Sequence, residues 1–131
     1  MTINTIRCII RKKYVAATPE EEVRQHTLSF LINNKSYPAS LISVEGQIKV
    51  GNLTKRYDIL VYDRQFKPWL LVECKAPSIK ITQEVLDQIS RYNLSIGAKY
   101  FILTNSQQTY CLAKDISSNS FVLLEDIPDY Q

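Results

Sequence analysis

The spacing of apolar and polar positions changes period several times along the chain, and each change marks an element. In PEEEVRQHTLSFLINN, Val23, Thr27, Phe30 and Leu31 recur at helical spacing. Thr18 stands as N-cap, Pro19 opens the first turn, and three glutamates follow where the helix dipole favours negative charge, so a helix is predicted over 19–33. Three runs rich in β-branched and aromatic residues come next, SLISVEGQIKVG, RYDILVYD and PWLLVECKA, separated by GNLTK and DRQFKP; they predict a meander of three strands. Pro77 ends the third. ITQEVLDQISRYNLSIGA then returns to helical period, with Thr82 as N-cap, a staple between Ile81 and Leu86, apolar positions at Val85, Ile89 and Tyr92, and Gly97 to close it. KYFILTN follows directly, so strand, helix and strand form a crossover that lays KYFILTN parallel to PWLLVECKA. QTYCLAKD and SFVLLEDI add two short strands. The expected class is α/β (α+β), a mixed central sheet flanked by helices, with core order helix, strand, strand, strand, helix, strand.

One strand breaks its own pattern. PWLLVECKA is apolar enough to be buried yet ends in Glu73, Cys74 and Lys75, and charges inside a sheet are costly unless solvated or used. If RYDILVYD and PWLLVECKA form a hairpin with its loop centred between Gln65 and Phe66, Asp58 lies directly opposite Glu73. Cross-strand Cβ atoms are about 4.5–5.5 Å apart, so the two carboxylates repel. Lys75, two residues beyond Glu73, shares its face, while Cys74 points to the other. A slip of register would undo the arrangement.

Two opposed carboxylates suit a hard divalent cation such as Mg²⁺, which keeps several waters and completes its shell with substrate phosphate oxygens. Such an ion polarises a phosphodiester and acidifies a bound water, and a nearby lysine stabilises transition-state charge. On that reading Asp58 and Glu73 are metal ligands and Lys75 is catalytic. The blander alternative puts Asp58 and Glu73 at wet strand ends with Lys75 in an ordinary salt bridge, and a bare E-x-K matches by chance. Against it, this is the only E-x-K in the chain, it ends an apolar strand, and an aspartate faces it.

Length and composition narrow the classes further. The 131 residues suit one domain; 45% hydrophobic and 22% charged residues are ordinary globular values, and the net charge of +3 hints only weakly at a polyanionic partner. Cys8, Cys74 and Cys111 are odd in number, with no CxxC pair and a single histidine, His26. Neither a disulfide framework nor a zinc site is expected, and the thiols suit a cytoplasmic setting. Charges at Arg7, Arg11, Lys12 and Lys13 interrupt any run of signal-peptide length, and no run approaches a membrane span. Gly46 and Gly51 have the glycine spacing of a phosphate loop, but Asn52 and Leu53 stand where Lys and Ser/Thr are required, so no ATP site is read. Arg11, Lys12, Lys13, Lys55 and Arg56 are candidate contacts to a DNA backbone, although a charge run is usually a solvated surface.

RKKYVAATPEEEVRQ, YPASLISVE, KRYDILVYD, LLVECKAP, QEVLDQISRYN and DIPDY together resemble the N-terminal nuclease domain of type I restriction enzyme R subunits, within the PD-(D/E)XK nuclease superfamily. The resemblance covers nearly the whole chain. It implies a restriction-endonuclease-like fold and an Mg²⁺-dependent DNA endonuclease, with Mn²⁺ as a possible substitute. In that reading Asp58 and Glu73 are the metal ligands and Lys75 the catalytic lysine. It further implies that Gln88 and Tyr92 form a Q-x-x-x-Y element supporting the site; their i, i+4 spacing shares a helix face, though a solvated glutamine and a core tyrosine fit the residues equally. A first-helix glutamate often joins such sites. Glu20 fits best, with Glu21 and Glu22 as alternatives that could simply satisfy the helix dipole. Tyr57 departs from the family pattern, where a proline often stands. The implied partners are DNA and the motor or specificity subunits of a restriction system, the ATP-driven motor itself being absent from these 131 residues. The rival expectations are a catalytically silent module of the same fold that binds nucleic acid or protein, and a structural subunit.

Overall fold

The computed structural model describes residues 4–131. Its centre is a six-stranded sheet made of β3 (Ile42–Val50), β4 (Leu53–Tyr62), β5 (Pro68–Cys74), β6 (Tyr100–Thr104), β7 (Thr109–Asp115) and β8 (Ser120–Leu124), in that spatial order. All neighbours are antiparallel except β5 and β6, which are parallel and joined through helix α2 (Gln83–Asn93), as the crossover pattern requires. Helix α1 (Pro19–Asn34) precedes the sheet. The core order of helix, three strands, helix and strand is therefore the one expected.

Each turn has a local cause. Gly51 and Asn52 join β3 to β4, and Gly51 sits at φ +63°, a conformation glycine adopts without a Cβ penalty. The β4–β5 hairpin keeps the expected register at Ile59 with Val72, Leu60 with Leu71 and Val61 with Leu70, then shifts at a bulge so that Tyr62 meets Pro68. Thr18 and Thr82 cap the two helices by accepting from the N–H groups of Glu21 and Val85. After α2 a 3₁₀ turn runs over Leu94–Ile96 to Gly97 at φ +81°.

The strands alternate their side chains between two cores, one on each face of the sheet. On one face Ile59, Val61, Leu70, Val72, Cys74 and Ile102 pack with Val23, Leu28 and Leu31 of α1. On the other, Leu60, Leu71, Phe101, Leu103 and Leu112 pack with Ile81, Leu86 and Ile96 around α2. Burying each such aliphatic side chain contributes roughly 1.5–3 kcal/mol. Among the described residues no helix is long and apolar enough to cross a membrane.

Two departures from the pattern matter for the site. A small hairpin outside the main sheet, β1 (Thr5–Cys8) with β2 (Lys13–Ala16), precedes α1; four-residue strands around a basic turn carry too little periodicity to be read from sequence. Helix α1 also buries a different face from the one expected. Val23 and Leu31 are inside, but Phe30 is exposed, and Leu28 is joined by the polar Glu21, Arg24 and Gln25. A pattern of apolar positions assigns those three to water.

Candidate active site

The charged end of β5 opens onto a cleft of about 350 Å³ lined by Glu20 and Arg24 of α1, Glu45 and Gln47 of β3, Arg56 and Asp58 of β4, and Glu73 of β5. The E-x-K and the opposed aspartate thus come together. The last regular β4–β5 pair is Ile59 with Val72, and beyond it Oδ2 of Asp58 accepts a hydrogen bond of 2.7 Å from the backbone N–H of Cys74. The side chain takes over where the ladder stops. Lys75 Nζ lies 3.8 Å from Oε1 of Glu73, and the Cys74 thiol turns into the opposite core.

Charge is unevenly matched here. Arg24, with only 5% of its side chain exposed, reaches Oδ1 of Asp58 at 3.1 Å, Oε1 of Glu21 at 2.6 Å, Oε1 of Glu45 at 2.9 Å and Oε1 of Glu20 at 3.4 Å. Arg11, from the turn of the small hairpin, pairs with Glu21 at 2.7 Å and Glu45 at 3.5 Å. Four carboxylates, Glu20, Glu21, Glu45 and Asp58, thus share Arg11 and Arg24, while among the described residues Glu73 pairs with Lys75 alone. Burial of Glu73, then the negative charge of nearby Asp58, push its carboxyl up to about 7 against the pull of Lys75. Glu21 goes the other way. Burial would raise it, but hydrogen bonds from Gln25 and Arg11 and the charge of Arg24 hold it below the usual carboxylate range.

A second cleft, of about 680 Å³, shares Glu20 and Glu73 with the first and adds Lys75, Ile79, Val85, Gln88 and Tyr92. Gln88 and Tyr92 are exposed on one face of α2, and the Tyr92 ring has Lys55 Nζ 4.1 Å from its centroid. Lys55 also donates to the Tyr92 carbonyl, which ties β4 to α2.

The family model described as type I restriction enzyme R protein N terminus matches residues 19–128, which takes in every residue of both clefts named above. The chain belongs to that family. Among solved structures it is similar to a fragment assigned to an HsdR subunit of a type I restriction enzyme from Vibrio vulnificus YJ016, at 24% identity and a TM-score of 0.46, over 79% of this chain and 21% of that one. The chain thus spans about one fifth of that relative's length. No curated protein matches the sequence.

In this R-protein N-terminal family member the structure gathers Asp58, Glu73 and Lys75 at one sheet end and sets Gln88 and Tyr92 across the adjoining cleft. Of the three first-turn glutamates, Glu20 lines both clefts, Glu21 is buried in ion pairs with Arg11 and Arg24, and Glu22 is exposed and lines neither. Two of the basic residues offered for a DNA backbone are otherwise engaged. Lys55 is 8% exposed under Tyr92, and Arg11 is held by Glu21 and Glu45. Their charge is spent inside the protein, whereas Lys12, Lys13 and Arg56 remain exposed. His26 is exposed on α1 and lines neither cleft.

Sequence reasoning missed Arg24 and Glu45 and gave Arg11 to a DNA backbone rather than to Glu21 and Glu45. Arg24 carried a signal, standing three and four residues after Glu21 and Glu20 on one helix. Glu45 carried another: the Gly51–Asn52 turn pairs Val44 with Ile59 and Gly46 with Tyr57, which sets Glu45 level with Asp58. Glu45 itself adopts φ +50°, and Gly46 must be glycine because a Cβ there would lie 2.2 Å from the Tyr57 hydroxyl oxygen.

Proposed function

We propose that this chain is the nuclease module of a restriction system, hydrolysing DNA phosphodiesters with a divalent cation held by Asp58 and Glu73. The observation that carries the reading is the convergence of Asp58 and Glu73 on one cleft, where burial and the negative charge of Asp58 push the Glu73 carboxyl to about 7. Two carboxylates with open water on one side fit Mg²⁺, which is commonly held by one or two carboxylates and otherwise by waters and phosphate oxygens, and Mn²⁺ fits the same donors. Among the described residues no three His, Cys, Asp or Glu side chains are gathered closely enough to hold an ion by themselves, so waters and phosphate oxygens would have to complete its shell. Bound there, it would supply Lewis-acid polarisation of the scissile phosphate and a more acidic water.

The chain's own residues do the rest. The Lys75 ammonium, one third exposed on the same side as Glu73, orients a water or meets charge developing on the phosphate. Glu20, on the shared wall of the two clefts, adds negative charge towards the ion, and Gln88 and Tyr92 line the approach of the DNA strand. Arg56 offers an exposed cation to the backbone phosphates. In the cytoplasm such a module would act with the motor and specificity subunits of its system.

The engagement of both Asp58 oxygens, one by Arg24 and one by Cys74, favours a second reading: a silent module of this fold that binds nucleic acid or protein. Incubating supercoiled plasmid with the chain in Mg²⁺, in Mn²⁺ and in chelator separates the two. Metal-dependent nicking that Asp58→Asn removes supports the nuclease; a salt-sensitive mobility shift with intact plasmid under every metal supports the silent module.

A further inference from the structure

A guanidinium already occupies part of the place the proposed ion would take. Arg24 Nη2 lies 3.1 Å from Oδ1 of Asp58, while Nη1 is seated against Glu21 at 2.6 Å and Glu45 at 2.9 Å. We infer that Arg24 is a resident countercation that yields Oδ1 of Asp58 when a divalent ion loads, and so keeps the free protein's metal affinity low. The inference rests on the reading of Asp58 and Glu73 as metal ligands.

Three observations favour it over a purely structural ion pair. First, Asp58 has little left to offer an ion while Arg24 stays, because its Oδ2 is committed to the Cys74 N–H. A divalent ion sharing Oδ1 would stand next to a buried positive charge, and in a site of low dielectric that repulsion is large. Second, Arg24 has somewhere to go. Releasing Asp58 leaves it between Glu21 and Glu45, so its charge stays compensated. The Glu45 carboxylate is presented by a residue at φ +50°, a conformation costly for a side chain of this kind and kept only where the surroundings demand it. Third, the present seat is incomplete: Arg24 Nε is buried with no acceptor among the described residues, so the observed arrangement leaves one of its donors unmet. A metal-free site closed by its own arginine then loads when a DNA phosphate adds the oxygens that tip the balance.

Calorimetric titration of the full chain with MgCl₂ or MnCl₂ alone, without DNA, tests this on wild type, Arg24→Gln and Arg24→Lys, each checked for folding by circular dichroism. Arg24→Gln removes the competitor and should bind the ion roughly tenfold more tightly or better. Arg24→Lys keeps a charge but lacks the fork that spans both seats, and should fall between the two. It also decides the matter should Arg24→Gln, with its carboxylates uncompensated, fail to fold. Affinity that a folded Arg24→Gln, or failing that Arg24→Lys, leaves unchanged or weakens overturns the inference while the metal reading stands. No binding by any of the three at millimolar metal overturns the metal reading, and this inference with it.

Discussion

The backbone N–H of Cys74 donates to Oδ2 of Asp58 at 2.7 Å, so the β4 carboxylate is anchored where the β4–β5 ladder ends. One residue thereby serves the fold and the chemistry. Glu45, level with it on β3, and Glu73, lining the same cleft from β5, are both acidic, and the buried Arg24 joins Asp58 to Glu45.

Truncating Asp58 should cost more than neutralising it. Asp58→Ala orphans the Cys74 N–H and an arm of Arg24, and should destabilise the fold by about 2–3 kcal/mol in urea denaturation. Asp58→Asn keeps an acceptor for Cys74 and should cost roughly half that or less. Equal losses would mean the Cys74 bond contributes little.

Glu73 should make the metal-free protein less stable as pH rises. Its carboxyl is raised from its ordinary value near 4.5 to about 7, so the folded state binds a proton that the unfolded state releases over that interval. Stability is fully present below pH 4.5, falls as pH rises through 7, and then levels. Glu73→Gln, isosteric and never charged, should therefore gain on wild type by on the order of 2 kcal/mol at pH 8.5 in chelator, and match it near pH 4.5. A stability difference that is flat over that range would show the carboxylate is not paying for its burial.

Lys55 and Arg56 are neighbours in sequence with opposite fates. Lys55→Ala removes a buried stem, the bond to the Tyr92 carbonyl and the cation over its ring, and should cost about 1–3 kcal/mol of stability. Arg56→Ala, at an exposed site, should change stability by less than about 0.5 kcal/mol but lower the slope of DNA affinity against salt by about one. Denaturation and mobility shifts over a salt series check both; the reverse assignment would refute the geometry.

At Gly46 the constraint is steric. A Cβ would meet the Tyr57 hydroxyl oxygen at 2.2 Å and its ring carbon Cζ at 2.5 Å, so Gly46→Ala must displace a buried ring that also bonds Ser43 Oγ at 2.6 Å. Thermal unfolding should show a loss of about 1–3 kcal/mol. Gly51→Ala meets no neighbour and should cost only the strain of its positive φ.

Much of this was legible in the sequence because the site borrows from the strands' own regularity. Period-two runs located β3, β4 and β5, the expected hairpin register holds as far as Ile59 with Val72, one pair short of Asp58 and Glu73, and Lys75 stands beside Glu73. The crossover made β6 parallel to β5. What escaped was polar and buried. Arg24, Glu21 and Lys55 look like surface residues in any hydropathy pattern and are inside only because each meets an opposite charge or a carbonyl from a distant segment. The β1–β2 hairpin escaped because its strands are four residues long, and Arg11 at its turn acts through Glu21 and Glu45, contacts that no local spacing reveals.

Cleavage and metal binding, measured together on Lys75→Ala, test the central claim most directly. Lys75 meets Glu73 only at the outer reach of an ion pair, 3.8 Å, and is one third exposed, so its loss should alter metal affinity far less than it slows the transition state. The account predicts that wild type nicks supercoiled plasmid in Mg²⁺, that Lys75→Ala nicks it about a hundredfold more slowly or worse, and that calorimetry finds comparable metal affinity in both. A Lys75→Ala protein that nicks as fast as wild type would contradict it.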